Sequence, residues 1–565
     1  MQLFEPSLHC LNANQVYLML DSEVEWALLD VREEGAFDTG HPFWAVNVPL
    51  SHIESRIPGL VPRLGTPLVV LDDADDGLAS RAAKCLSAMG YTDIHVLEEG
   101  LAGWRKAGLP IHAGIYVPSK AFGEYVEHHY KTPSISVERL KVALEQSEDM
   151  VVIDCRPFEE FTTSSLPGSI NCPGVELITR VYSLLENEKT TVVVHCAGRT
   201  RGIIGAQTLI NAGLRNPVVT VENGMAGWLL SGQPLAHGGA NVAPAPTLES
   251  LQKAFEATQR LADAVGLRTI HANQLREWRQ DTSRTLYLFD VRTPQEYEAG
   301  HIPEARSAPG GQLLQAFDTF VGTRNSRIVL VDDNCIRARI TGFWLRQMGL
   351  EDVAILEGAS GLVRNRLAST KENSPRVHEP LGVMVSEINV LQLHQLMAEG
   401  NAVVLDFSDS LKFGRGHIPG AWFAVRARIA EALSKIPPGL QLVLTSEDGN
   451  FAALAYSDVK QISSTPVSVL RGGNSAWSMA ARVPANRKSA AEKTAPSGFI
   501  EMAWCMASVV RMSEIMHVFR NFSNQQVIRF VRSHLPVATM AASPAPKTQK
   551  RASKLLVVTK QCGPV

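Results

Sequence analysis

The sequence is short of several features that would otherwise point quickly to a function. Cysteine is scarce, at 8 in 565 residues, and no two cysteines stand in a CxxC pair or at a regular spacing. That excludes a disulfide scaffold and a zinc knuckle, and it fits a reducing cytosol. Excess charge of one sign is absent: 54 Lys and Arg against 57 Asp and Glu leave a net charge of −3. Neither nucleic acid nor an anionic membrane is therefore expected as the main partner. The N-terminal "MQLFEPSLHCLNANQVYLML" has no basic region followed by a long apolar stretch and a small-residue cleavage site, so no signal peptide is read. The most apolar late stretch, 499–519, carries Glu501, Arg511, Glu514 and His517, which makes it a poor membrane span. A cytoplasmic location is expected.

What the chain does contain is a fourfold repeat. The segments "LLDVREEGAFDTGHPFWAVNVP", "VIDCRPFEEFTTSSLPGSINCP", "LFDVRTPQEYEAGHIPEARSAP" and "VLDFSDSLKFGRGHIPGAWFAV" share a signature. Its aspartates, Asp30, Asp154, Asp290 and Asp406, are 124, 136 and 116 residues apart. Those intervals are too long for solenoid units and suit small complete domains. Each signature is followed by an apolar strand ("PLVVLDD", "TTVVVHC", "RIVLVDD", "LQLVLTS"), a helix that usually ends in Gly, a short strand and a Gly-containing turn such as "VTVENGMAGW". Short continuous apolar strands alternating with helices predict an α/β fold, in which each unit is a small parallel sheet covered by helices on both faces. The units are placed at 1–115, 133–239, 262–372 and 382–488, with a largely unstructured tail at 489–565 that holds one amphipathic helix candidate. "HAGIYVPSKAFGEYVEHHYKTPS", "AHGGANVAPAPTLESLQKAFEATQRLADAVG" (with a helical run) and "TKENSPRVHEPLG" read as linkers. Asp30, Asp290 and Asp406 read as strand-end caps. His41, His301 and His417 read as structural, because the second unit has Ser165 in their place.

The loop "HCAGRTRG" of the second unit carries the chemistry. Cys196 stands at the exit of the strand 192–194, and a helix is expected over 203–211. Ala197 and Gly198 permit a close turn, Gly202 lets the helix start tight against it, and Arg199, Thr200 and Arg201 complete the loop. Such a loop turns successive backbone N–H groups inward into an anion cradle. The amides, the helix dipole and two guanidiniums favour thiolate over thiol. Cys196 is therefore expected to be an exposed, stabilised nucleophile, although a lone cysteine after a strand is more often simply buried. Asp154 and Arg156 of the same unit are expected to support it.

The repeated pattern, with a loop cysteine after the central apolar strand and the closing "GMAGW", resembles the rhodanese (sulfurtransferase) family. It is most similar to bacterial multi-domain members, and the resemblance covers residues 1 to 488. It implies a persulfide intermediate on Cys196, with Ala197 to Arg201 as the active-site loop and no metal or organic cofactor. It also implies thiosulfate or another small anionic sulfur donor, held by Arg199 and Arg201, and a thiophilic acceptor such as cyanide or a thiol, a protein thiol included. Ser164-Ser165 departs from the family's Gly-His.

The other three units lack the thiol. Ungapped alignment of the helices places Asp332 on Cys196, Arg337 on Arg201 and Cys335 on Arg199; the apolar strands place Asp73 and Ser446 at the thiol position of the first and fourth units. Those units are expected to be inactive scaffold, lid or docking surface, with Asp332 and Arg337 paired internally. Cys155 and Cys172 are read as core residues, with a resolving thiol for Cys196 as the alternative; Cys10, Cys85, Cys505 and Cys562 carry no signal. Two other functions remain open: a non-enzymatic persulfide carrier or sulfur sensor, and a cysteine phosphatase. The phosphatase loop needs five residues between cysteine and arginine, which would put the arginine at Gly202, whereas four separate Cys196 from Arg201.

Overall fold

The computed structural model describes residues 9–74, 77–358 and 384–481. The linker "TKENSPRVHEPLG", the tail with its helix candidate, Cys505 and Cys562 lie outside them. Four five-stranded sheets follow one another along the chain, and every strand pairing in them is parallel. The first is ordered β1-β5-β4-β2-β3, with β1 His9–Leu11, β2 Ala27–Asp30, β3 Val46–Asn47, β4 Leu68–Leu71 and β5 Ile94–Leu97. The second repeats that order with β6 Ser134–Ile135, β7 Met150–Asp154, β8 Ile170–Asn171, β9 Thr191–His195 and β10 Val218–Val221. The third uses β11 Arg268–Ile270, β12 Leu286–Asp290, β13 Arg306–Ser307, β14 Arg327–Val331 and β15 Val353–Leu356. The fourth uses β16 Glu387–Ile388, β17 Ala402–Asp406, β18 Trp422–Phe423, β19 Gln441–Thr445 and β20 Val467–Leu470. The expected α/β architecture is present four times.

The central strands are buried on both faces, as their unbroken Val, Leu and Ile runs require. In the second unit one face carries Val151, Ile153, Val192 and Val194, and the other carries Val152 and Val193 with Leu140 and Trp228. Alternate residues of a strand point to opposite faces, so each face has its own layer of core.

The units join in two pairs through one equivalent segment, the stretch just after the short edge strand. In units two and three, Gly174 meets Gly311 so closely that a Cβ on Gly174 would sit 3.6 Å from the Gly311 Cα. In units one and four, Arg426 donates to Glu54 at 2.7 and 2.8 Å, and Arg81 donates to the Ala427 carbonyl at 2.6 Å. Trp344 of unit three is fully buried and donates to the Thr208 hydroxyl of unit two at 2.8 Å. Units one and three meet where Glu25 accepts from the Thr285 backbone and from Arg284.

Two linkers are not simple connections. The second contains the expected helix, Leu248–Ala264. The first is largely a 14-residue helix, Val117–Tyr130, whose Phe122, Tyr125 and Val126 enter the core shared by units two and three. Its apolar residues recur at helical spacing, but Pro118 and Gly123 mask the pattern. Pro is tolerated in the first turn of a helix, and Gly123 is needed because a Cβ there would lie 3.0 Å from the Thr200 side chain.

Candidate active site

Cys196 stands one residue past β9, at the start of the loop 196–199. The helix that follows begins at Thr200 and runs to Ala212, three residues earlier than the apolar pattern indicated. Thr200, Arg201 and Gly202 therefore form its first turn, and their N–H groups are the free donors of a helix N-terminus. The loop's carbonyls are taken from the other side. Met225 and Ala226 donate their N–H groups to Cys196 O and Ala197 O at 3.0 and 2.9 Å. This is the role of the closing "GMAGW": it fixes the carbonyls outward, so the amides face the thiol. Gly224, at φ +52°, is required there, since a Cβ would fall 2.4 Å from the carbonyl oxygens of both Cys196 and Gly198. Gly202 is required for a similar reason, since its Cβ would lie 2.9 Å from Thr220 Oγ1.

The electrostatics favour the thiolate. A hydrogen bond from the Cys155 thiol is the largest influence; burial opposes it, and Arg201 with the Gly202 and Gly198 amides adds to it, bringing Cys196 down to about 6. Burial pushes Cys155 itself well up, so it stays a thiol and a donor. The expectation of an exposed nucleophile is corrected: Cys196 is only 3% exposed. The reason is the loop's tightness, which wraps backbone around the sulfur on the same side that supplies the amides.

Both arginines are adjacent to the thiol's loop, but neither guanidinium is free. Arg199 donates to Glu124 at 2.6 and 3.0 Å and also to Glu127, both on the helix Val117–Tyr130. Arg201 donates to Glu160 at 2.7 and 2.8 Å and to Gln312 of unit three at 3.0 Å. Arg201 Nε is buried with no hydrogen-bond partner in the structure. Arg201 also lines a small, mostly apolar pocket of about 20 Å³ between units two and three, together with Val175, Thr200, Gly311 and Trp344.

Asp154 and Arg156 sit at the end of β7 and form a buried ion pair at 2.6 Å. Burial works against the Asp154 charge, yet His195, Arg156 and a 2.7 Å bond from Ser165 together hold it at about 2. Arg156 also donates to the Ser164 carbonyl, the contact Arg32 makes to Gly40 and Arg292 to Gly300. The Ser164-Ser165 departure thus keeps the structural bond. His41, His301 and His417 are structural: each ring faces the carbonyl four residues back at 2.9 Å and stacks on Phe37, Tyr297 or Phe413.

Strand register settles the equivalent positions in the other units. Asp154 pairs with His195, Asp290 with Val331 and Asp406 with Thr445, so Asp332 and Ser446 do stand where Cys196 stands. In the first unit Asp30 pairs with Leu71, which makes the equivalent residue Asp72 and corrects Asp73. The strand "VVLDD" ends one residue earlier than its two aspartates suggest. In each unit the group at this position occupies the anion seat. Asp72 accepts from the Ala79 N–H at 2.9 Å, Asp332 from the Arg337 N–H at 2.8 Å and Ser446 from the Ala452 N–H at 3.2 Å. Asp332 and Arg337 are paired at 3.0 Å, as expected.

The profile of the rhodanese-like domain matches residues 12–107, 136–231, 271–360 and 389–480. The chain belongs to the rhodanese family. This rhodanese is similar to a crystal structure of a thiosulfate sulfurtransferase from Pseudomonas aeruginosa, at 41% identity over 84% of this chain and 89% of that one, with a TM-score of 0.80. It is 26% identical over 157 residues to a candidate sulfur carrier protein, YrkF, of Bacillus subtilis (strain 168), covering 26% of this chain and 83% of that protein. It is also 28% identical over 87 residues to the uncharacterised protein YibN of Escherichia coli (strain K12), covering 15% and 61%. Together these likenesses support sulfurtransferase activity. Among the described residues, no helix is long and apolar enough to cross a membrane, and no cluster of metal-ligating side chains is present.

Sequence reasoning missed Glu124, Glu127, Glu160 and Gln312. Glu160 lies within the quoted signature, where its spacing to the loop gives no hint of contact. Gln312 comes from another unit altogether, so no local signal points to it.

Proposed function

We propose that the chain is a sulfurtransferase that moves sulfane sulfur from an anionic donor such as thiosulfate to a thiophilic acceptor, cyanide or a thiol, through a persulfide on Cys196. The reading is carried by one arrangement: a cysteine in a tight loop at the start of the helix Thr200–Ala212, with the loop's carbonyls tied outward by Met225 and Ala226, where Cys155, Arg201 and the Gly202 and Gly198 amides favour its thiolate. The thiolate attacks the donor's sulfane sulfur, and sulfite leaves. The same amides then hold the persulfide anion, and the acceptor removes its outer sulfur. Because both guanidiniums are engaged by carboxylates, Arg201 acts on the thiolate through its field, and Arg199 anchors the loop to the linker helix. Donor binding falls to the loop amides more than to free arginines. Thiosulfate and cyanide mixed with the chain should give thiocyanate with multiple turnovers, and Cys196→Ala should abolish it.

The burial of Cys196 supports a second reading, a carrier that accepts one sulfur and delivers it only to a docked protein thiol. Stoichiometric persulfide without turnover on small acceptors selects that reading. The phosphatase reading is disfavoured because four residues, not five, lie between Cys196 and Arg201.

A further inference from the structure

Cys155 serves the sulfur-transfer reaction, as outlined, only by favouring the Cys196 thiolate; it forms and breaks no covalent bond there. It follows β7 directly, as Cys196 follows β9. The last strand pair is Asp154 with His195, so one step further along the parallel register sets Cys155 level with Cys196. The backbone confirms this: Cys155 N–H donates to His195 O at 3.0 Å, continuing the ladder. Residues level with each other on neighbouring parallel strands point to the same face and have backbones roughly 4.8 Å apart. Here that face is the one carrying Val151, Ile153, Val192 and Val194, and both cysteines belong to it. The Cys155 sulfur reaches toward β9, where its thiol donates to His195 O at 3.0 Å. Paired backbones at that separation lie inside the Cα span of roughly 4.4–6.8 Å that a disulfide accepts.

The other three units act as internal controls. The residues that continue the ladder there are Val31, Val291 and Phe407, each donating to the residue before the anion seat at 2.9–3.0 Å. The site therefore accommodates a plain apolar side chain. A thiol stands here in the one unit whose seat also holds a thiol.

We propose that Cys155 and Cys196 form an intramolecular resolving pair that discharges the Cys196 persulfide as sulfide. The inference rests on the persulfide proposed above. The Cys155 sulfur attacks the inner sulfur of the Cys196 persulfide, and the bond between inner and outer sulfur breaks. The Cys155 proton passes to the departing outer sulfur. Cys155–SH plus Cys196–S–S⁻ gives the Cys155–Cys196 disulfide plus HS⁻. The two thiol sulfurs are oxidised by two electrons, and the sulfane sulfur is reduced by two. A dithiol reductant returns both cysteines to thiols, and one equivalent of it is oxidised to its disulfide. The site thus has two exits: transfer of sulfur to an outside acceptor, or release of sulfide with closure of the disulfide when no acceptor arrives.

The test uses the full chain, loaded with thiosulfate and freed of excess donor, with no acceptor added. Intact mass first scores loading. The expected result is one sulfide released per loaded chain, together with a Cys155–Cys196 cross-linked peptide in a non-reducing digest. Cys155→Val, which copies Val31 and Val291 and so suits the fold, loses the group that most favours the Cys196 thiolate. It is therefore loaded at about pH 10, where a plain cysteine ionises, until intact mass shows the same added sulfur as the wild type. Returned to pH 7, it should retain that sulfur and release no sulfide above background. Cys172→Ala should behave as the wild type. Loading followed by a lasting persulfide, or equal sulfide release from Cys155→Val, overturns this inference alone. Failure to load overturns both it and the proposed function.

Discussion

Replacing Arg201 by glutamine tests how the cradle makes a thiolate. Moving Cys196 from its ordinary 9.0 to about 6 corresponds to about 4 kcal/mol of preference for the charged form, at about 1.4 kcal/mol per unit. At pH 7 it raises the thiolate fraction from about 1% to about 90%. The Cys155 hydrogen bond is the leading influence and Arg201 adds to it along with two amides, so loss of the guanidinium should raise the value by about one to two units. Alkylation of Cys196 by iodoacetamide, followed by peptide mass across pH, then shows a midpoint near 6 in the wild type. In Arg201→Gln the midpoint is higher, and the rate at pH 7 is about two- to tenfold lower. At pH 10 the two rates should converge, which separates ionisation from access. The folded thiol ionises at lower pH than the unfolded one. Its charge therefore adds stability fully above the ordinary value of 9.0, and that stability fades as pH falls from there through about 6. Cys155 stays protonated through this window, so Cys196→Ala should lose most stability relative to wild type at the alkaline end. A midpoint unmoved in Arg201→Gln would refute the field of Arg201 as a cause.

Three further outcomes are expected. Gly224→Ala forces a Cβ into two carbonyl oxygens at 2.4 Å in left-handed backbone; unfolding should show about 2–5 kcal/mol lost, and Cys196 alkylation should lose its low midpoint. Glu124→Gln with Glu127→Gln strands Arg199, which is 9% exposed, and should cost about 2–4 kcal/mol by denaturant melting; adding Arg199→Met should recover part of it. Asp154→Asn strands Arg156 and should cost about 3–5 kcal/mol at pH 7. Because Asp154 is held at about 2, that deficit should hold above about pH 5, shrink as the pH falls below the unfolded value near 4, and be largely gone below about 2.

The fourfold α/β organisation was legible because each unit's strands are unbroken apolar runs bounded by glycine turns. The seat of Cys196 was legible because its cradle is built from consecutive residues. What escaped the sequence depends on distance along the chain. The Asp72 position needed strand register, since two adjacent aspartates look alike in sequence. The linker helix was hidden by Pro118 and Gly123, residues that tertiary contacts make necessary. Gln312 reaches Arg201 only because unit three packs on unit two. Cys155 and Cys172 both read as core residues with a resolving thiol as the alternative; only laying β7 beside β9 sets Cys155 level with Cys196.

The most direct measurement is intact-mass spectrometry of the full chain immediately after thiosulfate treatment, with the added mass mapped to a peptide. The account predicts a gain of one sulfur atom on the peptide that contains Cys196, absent in Cys196→Ala. Added sulfur on any other cysteine, or none on the Cys196 peptide of the wild type, would contradict it.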